Sequence, residues 1–227
     1  MKVKGSIGYL FVVLLTIGVF VLPVELESGC SRPGKGDYLS LLEDRLKLYP
    51  NVVKTLPSLG LGRYLDAEHG VSMIMPKKWN IVKAKDWNVM YENGEGRSYV
   101  TIGYRIHAES RTRRDPESFA LMLKKKLDDE FDKKTTKDTG IESVQIIQAP
   151  VVYSLGEYMV GGYTAKYLMK DGRTLFKIKK MIDDGDLVYD ISGMAYYDTQ
   201  RYSLVRFLVE SAAMTFWSTS LCTEEEK

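Results

Sequence analysis

The chain has little of what most enzymes use for chemistry. Of its 227 residues only two are histidine and two are cysteine. It holds no Cys-x-x-Cys pair and no zinc-type ligand spacing. No Gly-x-Ser-x-Gly elbow, P-loop or His-Glu-x-x-His is present, so no local motif supports acyl transfer, phosphate binding or metalloproteolysis. A Ser–His–Asp set assembled only in three dimensions stays open. Excess charge of one sign is lacking too. A formal charge of +2 from 32 basic and 30 acidic residues is no electrostatic footprint for nucleic acid. No metal, cofactor or nucleic acid is therefore expected. At 44% hydrophobic and 27% charged, the chain has the composition of one ordinary globular domain with a core.

Long uncharged runs are also scarce, with one exception. Lys2 and Lys4 precede Ile7 to Val24, an uncharged apolar run that contains Pro23 and is followed by Glu25. A short basic region before an apolar core has the layout of an export signal. At about 18 residues the run is also long enough to span a bilayer. Both readings leave the lysines in the cytoplasm and everything beyond Pro23 outside. Leu26-Glu27-Ser28-Gly29-Cys30 resembles a bacterial lipobox. Ser28, Gly29 and Cys30 match its last three positions, whereas Glu27 stands where an apolar residue is usual. The resemblance implies lipid attachment, with palmitate among the acyl groups, at Cys30. Without cleavage, residues 7–24 remain as a single span. Residues 1–29 are thus a signal peptide or an anchor, and the membrane is the first partner expected. Cys222 is then a free or intermolecular thiol. If Cys30 is not lipidated, an oxidising compartment permits a Cys30–Cys222 disulfide.

Residues 30–64 read as a tether and a short helix. Ser31 to Gly36 is small, polar and turn-rich. Leu39, Leu42 and Leu46 give Asp37 to Leu48 a helical spacing, and Pro50, Pro57, Gly60 and Gly62 mark loop. Residues 218–227 form a polar tail.

The most regular stretch runs from Gly161 to Phe216. Tyr163, Ala165, Tyr167 and Met169 alternate with polar residues up to Lys170-Asp171-Gly172-Arg173, whose Asp-Gly centre predicts a type I′ hairpin. Thr174, Phe176, Ile178 and Ile182 alternate with Lys177 and Lys179, the pattern of a sheet buried on one face and wet on the other. Asp183 to Asp186 predicts a solvated turn, and Leu187 to Met194 a third strand. Asp198 then predicts a helix N-cap. Tyr202, Val205, Val209, Ala212 and Phe216 supply that helix with one apolar stripe.

Upstream, Asn88–Glu92 and Arg97–Ile106 predict a hairpin around Asn93-Gly94-Glu95-Gly96. Asp115-Pro116-Glu117 opens a helix whose stripe is Phe119, Leu123, Leu127 and Phe131. Glu142–Gln148 and Pro150–Leu155 predict two strands. In Gly70-Val71-Ser72-Met73-Ile74-Met75-Pro76-Lys77-Lys78-Trp79 a strand ends at Pro76 and an indole covers the end of the core. This Gly-Val-Ser-x-x-x-Pro-x-x-Trp pattern resembles the opening strand of the PsbP-like family. The resemblance spans about Leu65 to Trp217. It implies an α+β fold for residues 65–217: an α/β/α sandwich with a central, mainly antiparallel sheet flanked by helices.

The candidate chemical residues all have plainer readings. Asp66, Glu68 and His69 lie in a turn before a strand, and His107 ends a strand at the surface. Gly94 and Gly96 join two strands without a helix N-terminus behind them. Arg111, Arg113 and Arg114, like Lys124–Lys126, read as solvated surface. Members of the resembled family are mostly non-enzymatic subunits, assembly factors or binding modules. The chain is therefore expected to be a membrane-anchored extracytoplasmic module that binds a protein partner in an envelope complex, without catalysis. The alternative is an envelope enzyme or small-ligand receptor with a cleft between sheet and helices, lined by Tyr196, Tyr197 and one histidine.

Overall fold

Strands with one apolar and one polar edge must pair, and here they pair antiparallel throughout. The computed structural model describes residues 35–94, 100–110, 115–134, 140–196 and 199–219. Helix α1 (Lys35–Leu48), a 3-10 turn (Val53–Thr55) and α2 (Leu56–Leu59) lead into the strands β1 (Leu61–Asp66), β2 (Val71–Pro76), β3 (Asn80–Val82), β4 (Val89–Asn93) and β5 (Val100–Glu109). Helix α3 (Pro116–Lys134) precedes β6 (Ile141–Leu155), β7 (Tyr158–Met169), β8 (Thr174–Asp183) and β9 (Leu187–Tyr196). Helix α4 (Thr199–Met214) and β10 (Trp217–Ser218) follow. A small sheet has the order β1-β2-β10, and the main sheet β3-β4-β5-β9-β8-β7-β6.

The two-residue period assigns the faces of the main sheet. Val160, Ile178, Ile182, Tyr189, Ile191 and Ala195 share one core with Val205, Val209 and Ala212 of α4. Gly193 lets that helix approach, since a Cβ there would lie 2.7 Å from Val205 Cγ1. On the opposite face Met159 and Met181 pack with Phe119 and Leu123 of α3, and Tyr163 and Tyr167 with Leu127. Asp115 caps α3 as predicted, its carboxylate accepting from the amides of Glu117 (3.3 Å) and Ser118 (3.1 Å). The result is an α+β fold, a three-layer sandwich around an antiparallel sheet. The two helices are offset: α3 lies over β6 and β7, and α4 chiefly over β9, β8 and β5.

Several local expectations are corrected. Leu61–Asp66, read as loop at the end of the tether, is a strand paired with β2. Leu42, Val52 and Leu59 are buried in the main core, so the packed body takes in part of the 30–64 segment. The β7–β8 connection is a three-residue loop, Lys170–Gly172, and not a type I′ turn. Gly172 N donates to Met169 O and Met169 N to Arg173 O, both at 2.8 Å, with Gly172 at φ 80°. Such a loop needs the left-handed region at its last residue, which the glycine supplies. The two strands expected around Pro150 are one edge strand, β6, with register shifts from Gln148 to Val151. An edge tolerates proline because its missing amide need not join a ladder.

The turn Asp183–Asp186 is a hairpin turn but not a solvated one. Asp183 and Asp184 are fully buried. Asp184 accepts from the amides of Asp186 and Leu187 and from the hydroxyls of Tyr189 and Ser218, at 2.6–3.0 Å. Asp183 accepts from Gly185 N and Ser110 Oγ. Helix α4 is also buried over more of its circumference than one stripe, since Phe207, Leu208 and Ala213 are inside as well. Helix α1 and strand β2 also pack on α4, in addition to the main sheet.

Candidate functional site

The face of β8 expected to be wet carries a buried ionic layer. Lys179, only 5% exposed, pairs with the fully buried Asp190 across to β9, Nζ to Oδ2 2.9 Å. Arg105 of β5 adds two bonds to the same oxygen, at 3.0 and 2.8 Å, and Ser192 Oγ donates to Oδ1 at 2.5 Å. Burial alone would raise the Asp190 pKa; Lys179, Ser192 and Arg105 outweigh it and hold the carboxyl below its ordinary range. Arg105 lies 4.8 Å from the centroid of Trp87, whose ring rests on Gly103. Further along, Glu130 of α3 accepts from Tyr163 and Lys177 and so clamps the helix to β7 and β8. Lys179, Arg105 and Lys177 each lie within ion-pairing distance of a carboxylate.

The other face carries a second cluster, around Glu210 of α4. Glu210 of α4 accepts from Tyr49 Oη at 2.5 Å and from Arg206 Nε at 3.0 Å, and pairs with Arg45 at 3.3 Å. Lys180 of β8 reaches toward this group along Gly162, and its Nζ ends 5.4 Å from the centroid of Tyr153. Burial pushes the Lys180 ammonium below the ordinary lysine range, only partly opposed by Glu210. On β6 itself Val151 is 51% exposed and Tyr153 37%, with Ile147 nearby at 46%. Their register against Gly162 and Val160 puts Val151 and Tyr153 on the α4 face. Apolar side chains thus stand in solvent beside a surplus of cations.

The residues singled out in sequence are scattered. His69 Nδ1 lies 2.9 Å from Asp66 Oδ2, and Asp66 also accepts from Asn88 Nδ2 at 3.3 Å, so this pair ties the β1–β2 turn to the approach of β4. His107 is half-buried rather than at the surface. Burial, with Lys126 and Lys179 beside it, pushes its pKa down to about 4. Tyr196 sits at the opposite end of β9 from the strand positions facing His107, and Arg173 lies 4.9 Å from its ring centroid and bonds its hydroxyl. Tyr196 and His107 therefore do not line one cleft. Lys124 and Lys125 are exposed, whereas Lys126 is half-buried. Cys30, Arg111, Arg113, Arg114, Tyr197, Asp198 and Cys222 lie outside the described residues, as does the 7–24 run. Among the described residues no group of three or more His, Cys, Asp or Glu could hold a metal ion, and no helix is long and apolar enough to cross a membrane.

Sequence reasoning passed over Arg105, Glu130, Lys180, Asp190 and Glu210. One signal was available: Asp190 interrupts an otherwise apolar strand, Leu187 to Met194. A charge in that position needs a partner on a neighbouring strand.

No protein-family model matches the chain, and no curated protein matches its sequence. Solved structures do resemble it. The cyanobacterial PsbP of Synechocystis sp. PCC 6803 is 16% identical, covering 70% of this chain and 92% of its own, with a TM-score of 0.46. LpqN of Mycobacterium tuberculosis, described as involved in cell envelope biogenesis, is 12% identical over 69% of this chain and 88% of its own, with a TM-score of 0.44. The first bears the family name that the Gly70–Trp79 motif resembles. At TM-scores below 0.5 these likenesses settle neither activity nor partner.

Proposed function

We propose that the chain is a membrane-anchored extracytoplasmic module that binds a protein partner and so supports an envelope complex, without catalysing a reaction. One observation carries the binding half of this reading. The edge strand β6 exposes Ile147, Val151 and Tyr153, while α4 lies chiefly over β9, β8 and β5. A contiguous exposed apolar patch is the mark of an interaction surface. The anchoring half rests on the uncharged run 7–24 and on Ser28-Gly29-Cys30.

Two measurements test the halves separately. The intact mass of the membrane-extracted protein is compared with that of a Cys30→Ala variant. Acyl mass on a product beginning at Cys30 supports lipidation, and an unmodified full-length mass supports the uncleaved span. A soluble, unlipidated product overturns anchoring. For binding, a photo-crosslinking benzoylphenylalanine replaces Tyr153 in cells, with Leu121 on the exposed side of α3 as the control. The expected result is a discrete adduct from position 153 that position 121 does not give. Equal labelling from both, or none from either, overturns the binding reading.

A further inference from the structure

The Lys180 corner holds more cations than carboxylates, and Lys180 itself is paired with none of them. Gly162 makes room for the lysine stem, since a Cβ there would lie 2.8 Å from Lys180 Cδ. The ammonium so placed has the Tyr153 ring beneath it, but no carboxylate among the described residues within ion-pairing distance. Glu210, close enough to act on it electrostatically, is already shared by Arg45, Arg206 and Tyr49. Three cations thus surround one carboxylate. Arg206 uses only its Nε on Glu210, and its side chain is 40% exposed. A half-buried cation without a counter-ion costs stability, and a ligand of opposite charge removes that cost.

We propose that this corner receives a carboxylate from an acidic segment of a protein partner. Lys180 and Arg206 take the carboxylate, while Tyr153 and Val151 take an apolar neighbour in the same segment. The inference rests on the binding-module reading above and adds the chemistry of the partner. Charge complementarity selects the occupant: the surplus is positive, and the flanking strand is apolar rather than cationic. A free phosphate or small carboxylate would satisfy the cations but leave Val151 and Tyr153 in solvent.

The test is a titration of full-length protein in neutral detergent with a fluorescein-labelled peptide of alternating Glu and Phe. Lys180→Gln is compared with Lys124→Gln, which removes the same charge from the exposed side of α3. Thermal melts confirm that both variants fold. The expected result is binding by the wild type and by Lys124→Gln, with about a tenfold loss in Lys180→Gln, the scale of one charge-assisted hydrogen bond. Equal affinities in the two variants, or no binding by the wild type, overturn the assignment. Displacement of the peptide by inorganic phosphate at equimolar concentration reassigns the corner to a free anion and overturns it as a partner site. The two readings fail separately. A Tyr153 crosslink that survives Lys180→Gln, with no peptide preference, leaves a binding module that does not select acid. Peptide binding without any crosslink in cells removes the module reading instead.

Discussion

Lys179 and Lys180 are consecutive in β8, yet they lie in different surroundings. Strand geometry sends neighbours to opposite faces, so Lys179 enters the layer under α3 and Lys180 the corner beside α4. Lys179 meets Asp190 at 2.9 Å in an interior where Arg105 and Ser192 complete the carboxylate's bonds. Lys180 meets an aromatic ring and a carboxylate that other cations have claimed. Identical side chains, one residue apart, are thus a closed structural pair and an open electrostatic site. What separates them is whether the partner strand supplies a counter-charge.

This contrast can be broken by substitution, and the largest effect belongs to the closed pair. Asp190→Asn leaves Lys179 buried without its counter-ion, and urea denaturation is expected to show a loss of about 3–5 kcal/mol. A loss under about 1 kcal/mol would mean the pair does not hold the sheet. Next comes Gly193→Ala, which drives a methyl into Val205 and Val209 where α4 covers the sheet. A loss of about 1–3 kcal/mol is expected in the same assay.

The third effect is a slope with pH. His107 is held neutral beside Lys126 and Lys179, with its pKa pushed down to about 4 by burial and those charges. An unfolded histidine titrates near about 6.5. Between these values the unfolded chain binds the extra proton, so stability falls as pH drops through that window. Urea midpoints compared at about pH 5 and about pH 7 should differ less in His107→Gln than in the wild type. Smallest of all is Lys180→Gln, expected to leave stability unchanged or to raise it slightly, since no bond to a protein carboxylate is lost and an unpaired half-buried charge is removed. If it costs as much as Asp190→Asn, Lys180 is a structural residue and the contrast with Lys179 collapses.

Much of the fold was legible in the chain. The stripe Phe119, Leu123 and Leu127 and the Asp115-Pro116 start are both where the spacing put them. The alternation on either side of Gly172 holds, but not the reading of one buried and one wet face: Tyr163, Ala165 and Tyr167 lie on the α3 side, and Phe176, Ile178 and Ile182 on the α4 side. The turn type was misjudged because Asp-Gly fits a two-residue loop and the end of a three-residue loop equally well. The solvated readings of Lys179, Asp183 and Asp184 failed for a different reason. A charged residue in a sequence looks exposed until its partner is known, and the partners here are on other elements.

Local order in the chain determined most of the strands, the helices, the alternation along each strand and the cap of α3, because each depends on neighbours within a few residues. Only the tertiary structure decided which charges are neutralised. Asp190 lies 85 residues from Arg105, and Tyr49 lies 161 from Glu210. No local period encodes such distances. They follow from the strand order β5-β9-β8-β7-β6 and from the offset of α3 against α4, which buries one lysine with its counter-ion and leaves the next without one.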